Sequence, residues 1–175
     1  QSIGWNEPIY INGVKLSLHP AGHIIGSSQV RIEYGGEVWV VSGDYKTEND
    51  GTSGAFEAVQ CNTFITESTF GLPIYQWKKQ QLIFDDIKSW IQKNNAAQKT
   101  SVLIAYSLGK AQRILQPLIE TGLPIFAHGA IYNVHQALLN SEWQLPLIQR
   151  VEPDLPASIY KGNIVIAPPS ADGTH

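Results

Sequence analysis

The sequence predicts an α/β protein, α+β overall, in which a β-rich segment precedes an α/β segment with a mainly parallel sheet. Three observations carry this reading. From about residue 9 to 66 apolar and polar residues alternate with period two, broken by Asn-Gly and Gly-Gly pairs. From about residue 78 the apolar spacing becomes helical. There, short apolar runs alternate with helical stretches, the pattern of βαβ units.

The elements follow in order. Pro8–Ile11 and Val14–Leu18 flank Asn12-Gly13, a pair suited to a type I′ turn, and predict a hairpin. Gln29–Tyr34 and Glu37–Val41 flank Gly35-Gly36 and predict a second, and Asn62–Thr66 reads as a further short strand. This part is expected to be antiparallel, with irregular polar loops at 19–28 and 43–58. Leu82, Ile83, Ile87, Trp90 and Ile91 share one face of a helix between Trp77 and Asn95. Ser101–Tyr106 reads as a buried strand, and Gly109–Thr121 as a helix that Gly122 ends. A strand at Leu123–Phe126, a helix at Ile131–Asn140 and a strand at Asn163–Ala167 complete the pattern. The division is expected at 1–70 and 71–175.

Composition excludes several classes. The chain has 175 residues, 43% of them hydrophobic and 15% charged, enough apolar matter for a core and too little charge for disorder. No run approaches ~18 apolar residues, so no membrane partner is expected. The lone Cys61 excludes an internal disulfide framework and fits a reducing compartment or an indifferent one, and the cytoplasm is the expected location. A net charge of −3 points to no nucleic-acid binding by bulk charge, so any such site must be local. The chain contains no methionine and opens on Gln1 without a signal-peptide pattern. Together with an end just past the run Asn163–Ala167, this predicts a piece of a longer polypeptide.

Three loops could carry chemistry. His19-Pro20-Ala21-Gly22-His23-Ile24-Ile25-Gly26 sets two histidines among small residues between strands; surface or capping histidines are the plain alternative. Ser42-Gly43-Asp44-Tyr45 delivers an acid at the end of an apolar strand, where a cation ligand or an Asx turn would serve equally. Thr66-Glu67-Ser68-Thr69-Phe70-Gly71 places a second acid after a strand, as a site residue or a capping acid. Acid–His–acid clusters suit metal-assisted hydrolysis, in which an ion lowers the pKa of water. No His-x-His or Cys pair accompanies them.

These segments, with Ser107-Leu108-Gly109-Lys110-Ala111-Gln112-Arg113, His128-Gly129-Ala130 and Ala167-Pro168-Pro169-Ser170-Ala171, resemble the β-CASP branch of the metallo-β-lactamase fold. Within that branch of nucleases the wording is most similar to bacterial ligase-associated DNA exonucleases, a group also described as mRNA 3′-end processing factors. The resemblance implies part of a metallo-β-lactamase β-sandwich at 1–70 and an incomplete β-CASP α/β lobe at 71–175. It implies His23 and Asp44 as metal ligands, Asp44 bridging two divalent ions, zinc or else manganese. It implies Glu67 as the acid that orients a catalytic histidine. The His-x-His-x-Asp-His signature would then precede Gln1, and two further histidines would follow His175. A DNA ligase partner is implied by the resemblance alone.

Weaker signals remain. Ser107, Lys110 and Arg113 lie at a strand-to-helix junction, where a helix N-terminus and basic groups favour phosphate; a plain turn with solvated basic residues is the alternative. Tyr75 and Trp77 offer stacking faces to bases. His128 reads as structural or substrate-lining, His19 as a structural neighbour of His23, and His135 as solvated. The five tryptophans read as packing residues. The leading expectation is a metal-dependent exonuclease acting on DNA or RNA, inactive as this segment alone. A non-catalytic nucleic-acid-binding or scaffolding module is the second reading. A small-molecule hydrolase is the third, disfavoured by the α/β insertion after Glu67.

Overall fold

The computed structural model describes residues 3–141 and 143–171, which divide into two compact units, 1–76 and 77–175. The first holds a five-stranded sheet. β1 (Ile9–Ile11), β2 (Val14–Pro20), β3 (Ser28–Tyr34), β4 (Glu37–Val41) and β5 (Thr63–Ile65) lie side by side in chain order. Both short turns are of the expected kind: Asn12 and Gly13 have φ of 50° and 82°, and Gly35 and Gly36 have 59° and 86°. Positive φ at both central residues gives a turn whose twist matches the strands it joins.

One pairing departs from expectation. β5 runs parallel to β4, with Trp39 opposite Thr63 and Val41 opposite Ile65, whereas this part was expected to be antiparallel throughout. The segment from Ser42 to Asn62 returns the chain to the starting edge, so β5 enters in the direction of β4. The β2–β3 ladder also reaches further than expected, to Pro20 opposite Ser28, which leaves a loop of 21–27.

The second unit is α/β. α1 spans Gln80–Ala96, β6 Ser101–Ile104, α2 Lys110–Leu118, β7 Ile125–Ala127, α3 Gly129–Leu139, β8 Gln149–Arg150 and β9 Ile164–Ala167. The strands form an all-parallel sheet in the order β6-β9-β7-β8. Its central strand, β9, buries Ile164 and Ile166 against Ile91, Leu115, Leu118 and Ile131 from the three helices. Pro117, which has no N–H to give, sits in the last turn of α2; a 3₁₀ turn over Ile119–Thr121 follows and ends at Gly122, φ 69°. β8, only two residues long, was not foreseen.

Burial corrects three readings. On α1 only Ile91 is fully buried, while Leu82, Ile83 and Trp90 are exposed. Trp5, Trp39 and Trp77 are likewise exposed rather than packed in a core. His135, read as solvated, is fully buried, because the chain returns at Pro146 and its carbonyl lies 2.8 Å from Nε2. No helix among the described residues is long and apolar enough to cross a membrane.

Candidate metal and nucleic-acid site

Strand direction assembles the site. β2 and β4 each run antiparallel to β3, and β5 runs parallel to β4, so the C-terminal ends of β2, β4 and β5 lie along one edge of the sheet. The loop after β2 carries His23, the residues after β4 carry Asp44, and those after β5 carry Glu67. The parallel β4–β5 pairing is what turns Glu67 to the same edge as Asp44.

Each loop is fixed by backbone bonds. In the first, the Ala21 N–H donates to Ser27 O at 3.0 Å, and the Ser27 hydroxyl accepts from the His23 and Ile24 N–H groups at 3.1 and 3.2 Å. Gly22 is required there. Its φ is +71°, and a Cβ would stand 2.5 Å from the Lys46 carbonyl oxygen and 3.2 Å from the Phe56 nitrogen. In the second, the Lys46 N–H donates to Ala21 O at 3.0 Å, tying the Asp44 segment to the His23 loop. Beyond it the fully buried Asp50 carboxylate accepts from Thr52 N–H, Ser53 N–H and Ser53 Oγ at 3.0, 2.8 and 3.1 Å, with Lys46 Nζ at 3.4 Å. Burial pushes the Asp50 pKa up, but the Ser53 and Thr52 N–H groups and Lys46 outweigh it, and the net pKa lies below 3.8.

His23 Nε2 and Asp44 Oδ2 are 3.5 Å apart, and both side chains reach solvent. Glu67 accepts the Thr69 N–H at 2.6 Å; contacts with Thr69, and the charge of His23 nearby, hold its pKa below the ordinary 4.5. Of the three residues named from sequence, His23 and Asp44 stand together, and Glu67 follows the neighbouring strand at the same end of the sheet. An imidazole nitrogen beside a carboxylate oxygen suits a borderline divalent ion such as zinc, which takes four ligands of this type. Among the described residues no group of three His, Cys, Asp or Glu completes such a set. The donors present fit two positions of a larger site, and the remainder lies outside the described residues.

His19 has more to do than neighbour His23. It is buried, with Nδ1 2.8 Å from Glu57 Oε1 and Nε2 3.0 Å from Ser17 Oγ. Glu57 gave no sequence signal, because it lies in an irregular segment. Asp50 did leave one, since Asp-Gly-Thr-Ser is a turn composition.

In the second unit, Ser107, Lys110 and Arg113 stand at the C-terminal end of β6 and the start of α2. Gly109, φ 87°, makes the turn, and Gln112, fully buried, closes it by accepting from Gly109 N–H at 2.7 Å and donating to Ser107 O at 3.0 Å. Lys110 Nζ lies 5.0 Å from the Tyr106 ring centre, and Arg113 donates to Gln80 Oε1. These two cations border an apolar groove of about 430 Å³ between α1 and β6, rather than a basic stripe. His128 is structural: its Nδ1 accepts the Ala130 N–H at 3.2 Å and caps α3.

Comparison with known proteins supplies the family. The chain is 31% identical over 157 residues to a protein of Opitutus terrae named "Probable DNA ligase", covering 89% of this chain and 15% of that protein. It is 30% identical over 124 residues to endoribonuclease YSH1 of Yarrowia lipolytica, and 32% identical over 123 residues to cleavage and polyadenylation specificity factor subunit 3-I of Arabidopsis thaliana. Those matches cover 69% and 67% of this chain and 14% and 17% of the two proteins. The chain belongs to the β-CASP branch of the metallo-β-lactamase fold. No family model matches it. This β-CASP segment spans about one sixth of the length of these curated relatives.

Proposed function

We propose that this β-CASP segment is the middle of a metal-dependent nuclease that hydrolyses phosphodiester bonds, acting as an exonuclease on DNA, with RNA as the second candidate substrate. The observation that supports it most is the convergence of His23, Asp44 and Glu67 on one sheet edge, with His23 and Asp44 3.5 Å apart. Relatives named as an endoribonuclease and as a cleavage and polyadenylation factor point to nuclease chemistry. The relative named as a ligase points to DNA and to a ligase as working partner.

In this reading His23 and Asp44 hold part of a site for two divalent ions, zinc or manganese. Such ions, when bound, activate water and stabilise charge developing on a phosphate. Asp44, exposed beyond the end of β4, would offer both oxygens of its carboxylate. Glu67, held ionised by Thr69, is an acceptor fixed in place to orient an imidazole donated from elsewhere in the protein. Ser107, Lys110 and Arg113 supply contacts to the nucleic-acid backbone.

The test uses end-labelled single-stranded DNA and RNA with the natural protein that carries this segment, in zinc and in manganese. Progressive shortening that His23→Ala eliminates supports the reading. Salt-sensitive binding without shortening in either metal would favour the non-catalytic module, and a flat salt response would count against a nucleic-acid substrate.

A further inference from the structure

We propose that Ser17, His19 and Glu57 form a positioning clamp that holds the loop carrying His23 against the segment carrying Asp44. This rests on the metal-site reading above and adds three residues to it. The metal-site pair is exposed, so its 3.5 Å separation depends on where the loops are held rather than on packing around the two side chains.

The clamp grips at the root of both loops. Ser17 and His19 alternate on β2 and so face the same side of the sheet, where both are buried. His19 Nδ1 donates to the Glu57 carboxylate and Nε2 pairs with the Ser17 hydroxyl, so both ring nitrogens are held. Glu57 is also fixed through its backbone: its N–H donates to Pro20 O at 3.1 Å, and its carbonyl accepts from Gln29 Nε2 at 2.7 Å. The same Gln29 nitrogen reaches Pro20 O at 3.0 Å. Side chain and main chain of Glu57 thus both end on the stretch His19–Pro20, three residues before His23. Two residues after Asp44, the Lys46 N–H donates to Ala21 O and closes the circuit.

With the His19 ring buried and the Glu57 side chain 40% exposed, this pair is a weak device for stability, because desolvation of the ring and solvent screening of the acid offset much of its attraction, and its use is to select one arrangement over others. Apolar residues would hold two loops together without specifying register. Hydrogen bonds of fixed direction specify it.

The experiment measures Zn²⁺ affinity of the natural protein by competition with a chelator, follows the His23 ring by ¹H–¹⁵N NMR, and records the urea midpoint of each variant. Glu57→Ala is expected to weaken Zn²⁺ about tenfold or more and to reduce the zinc-induced shift of the His23 ring. Glu57→Gln keeps an oxygen that accepts the same proton and is expected to stay within about twofold. A purely structural role would lower the midpoint and leave affinity at low urea unchanged. If Glu57→Ala fails to fold, Ser17→Ala, which removes one hydroxyl, carries the test in the same direction. Unchanged affinity in Glu57→Ala, or in Ser17→Ala where it stands in, while His23→Ala loses zinc would overturn the clamp and leave the metal site standing. Unchanged affinity in His23→Ala would remove the metal site, and the clamp with it.

Discussion

Replacing Asp50 by alanine is expected to be among the most damaging changes in the first unit, although Asp50 lies outside the proposed chemistry. Its side chain is fully buried and is the common acceptor for Thr52 N–H, Ser53 N–H and Ser53 Oγ, with Lys46 Nζ at 3.4 Å. Hydrogen bonds to a charged group contribute about 1.5–3 kcal/mol each, and the three are not additive. Removing one member of a buried ion pair costs about 3–5 kcal/mol, and that range is the expected loss for Asp50→Ala. With a urea slope of about 1–2 kcal/mol per molar, the midpoint falls by about 1.5–5 M, read by tryptophan fluorescence and circular dichroism. Asp50→Asn keeps an oxygen for the two N–H groups and is expected to cost about half as much. The pH response has a definite sign. The native pKa lies below 3.8, so the contribution is present above that pH and is lost as pH falls through the native value. A loss below about 0.5 kcal/mol in Asp50→Ala, within the range of ordinary surface changes, would refute the claim that this carboxylate anchors the loop.

Three further outcomes are expected. Gly22→Ala meets the Lys46 carbonyl at 2.5 Å with φ at +71°, so stability in urea should fall by more than the ~1 kcal/mol of a left-handed alanine alone; an unchanged midpoint would contradict the tight loop. Burial lowers the His135 pKa below 6.5, with the Pro146 carbonyl opposing it. The folded state therefore favours neutral imidazole, and urea stability should fall as pH drops from 6.5 toward the native pKa, less so in His135→Gln. Lys110→Ala should weaken binding to DNA of any sequence and reduce the dependence of log affinity on log salt by about one unit, measured by fluorescence anisotropy.

Much of the fold is legible in local signals. Asn12-Gly13 and Gly35-Gly36 specify turns that few other pairs accommodate, and the apolar run of β9 marks an interior parallel strand, whereas β6, read as buried, is an edge strand with Val102 and Ile104 exposed. What was not legible depends on long-range return. A strand of three residues, Thr63–Ile65, carries no sign of its direction after the irregular segment that begins at Ser42, so the parallel pairing escapes. β8, at two residues, is below any periodic signal. Period alone puts Leu82, Ile83 and Trp90 with Ile87 and Ile91, yet only the latter two meet the core cluster. At the site, the three strand-end residues were each ambiguous singly and gained force from their order. Glu57 and the burial of His135 depend on partners 38 and 11 residues away and could not be read locally.

The central claim is that Asp44 belongs to a hydrolytic centre rather than to a turn. Asp44 is 68% exposed at the side chain, so Asp44→Ala should leave the unfolding free energy within about 0.5 kcal/mol of the parent. The decisive measurement is phosphodiester hydrolysis of end-labelled DNA and RNA by the natural protein and its Asp44→Ala variant, at matched fold and metal concentration. The account predicts that the parent shortens the strand and the variant does not. Cleavage by the variant at the parent rate would contradict it.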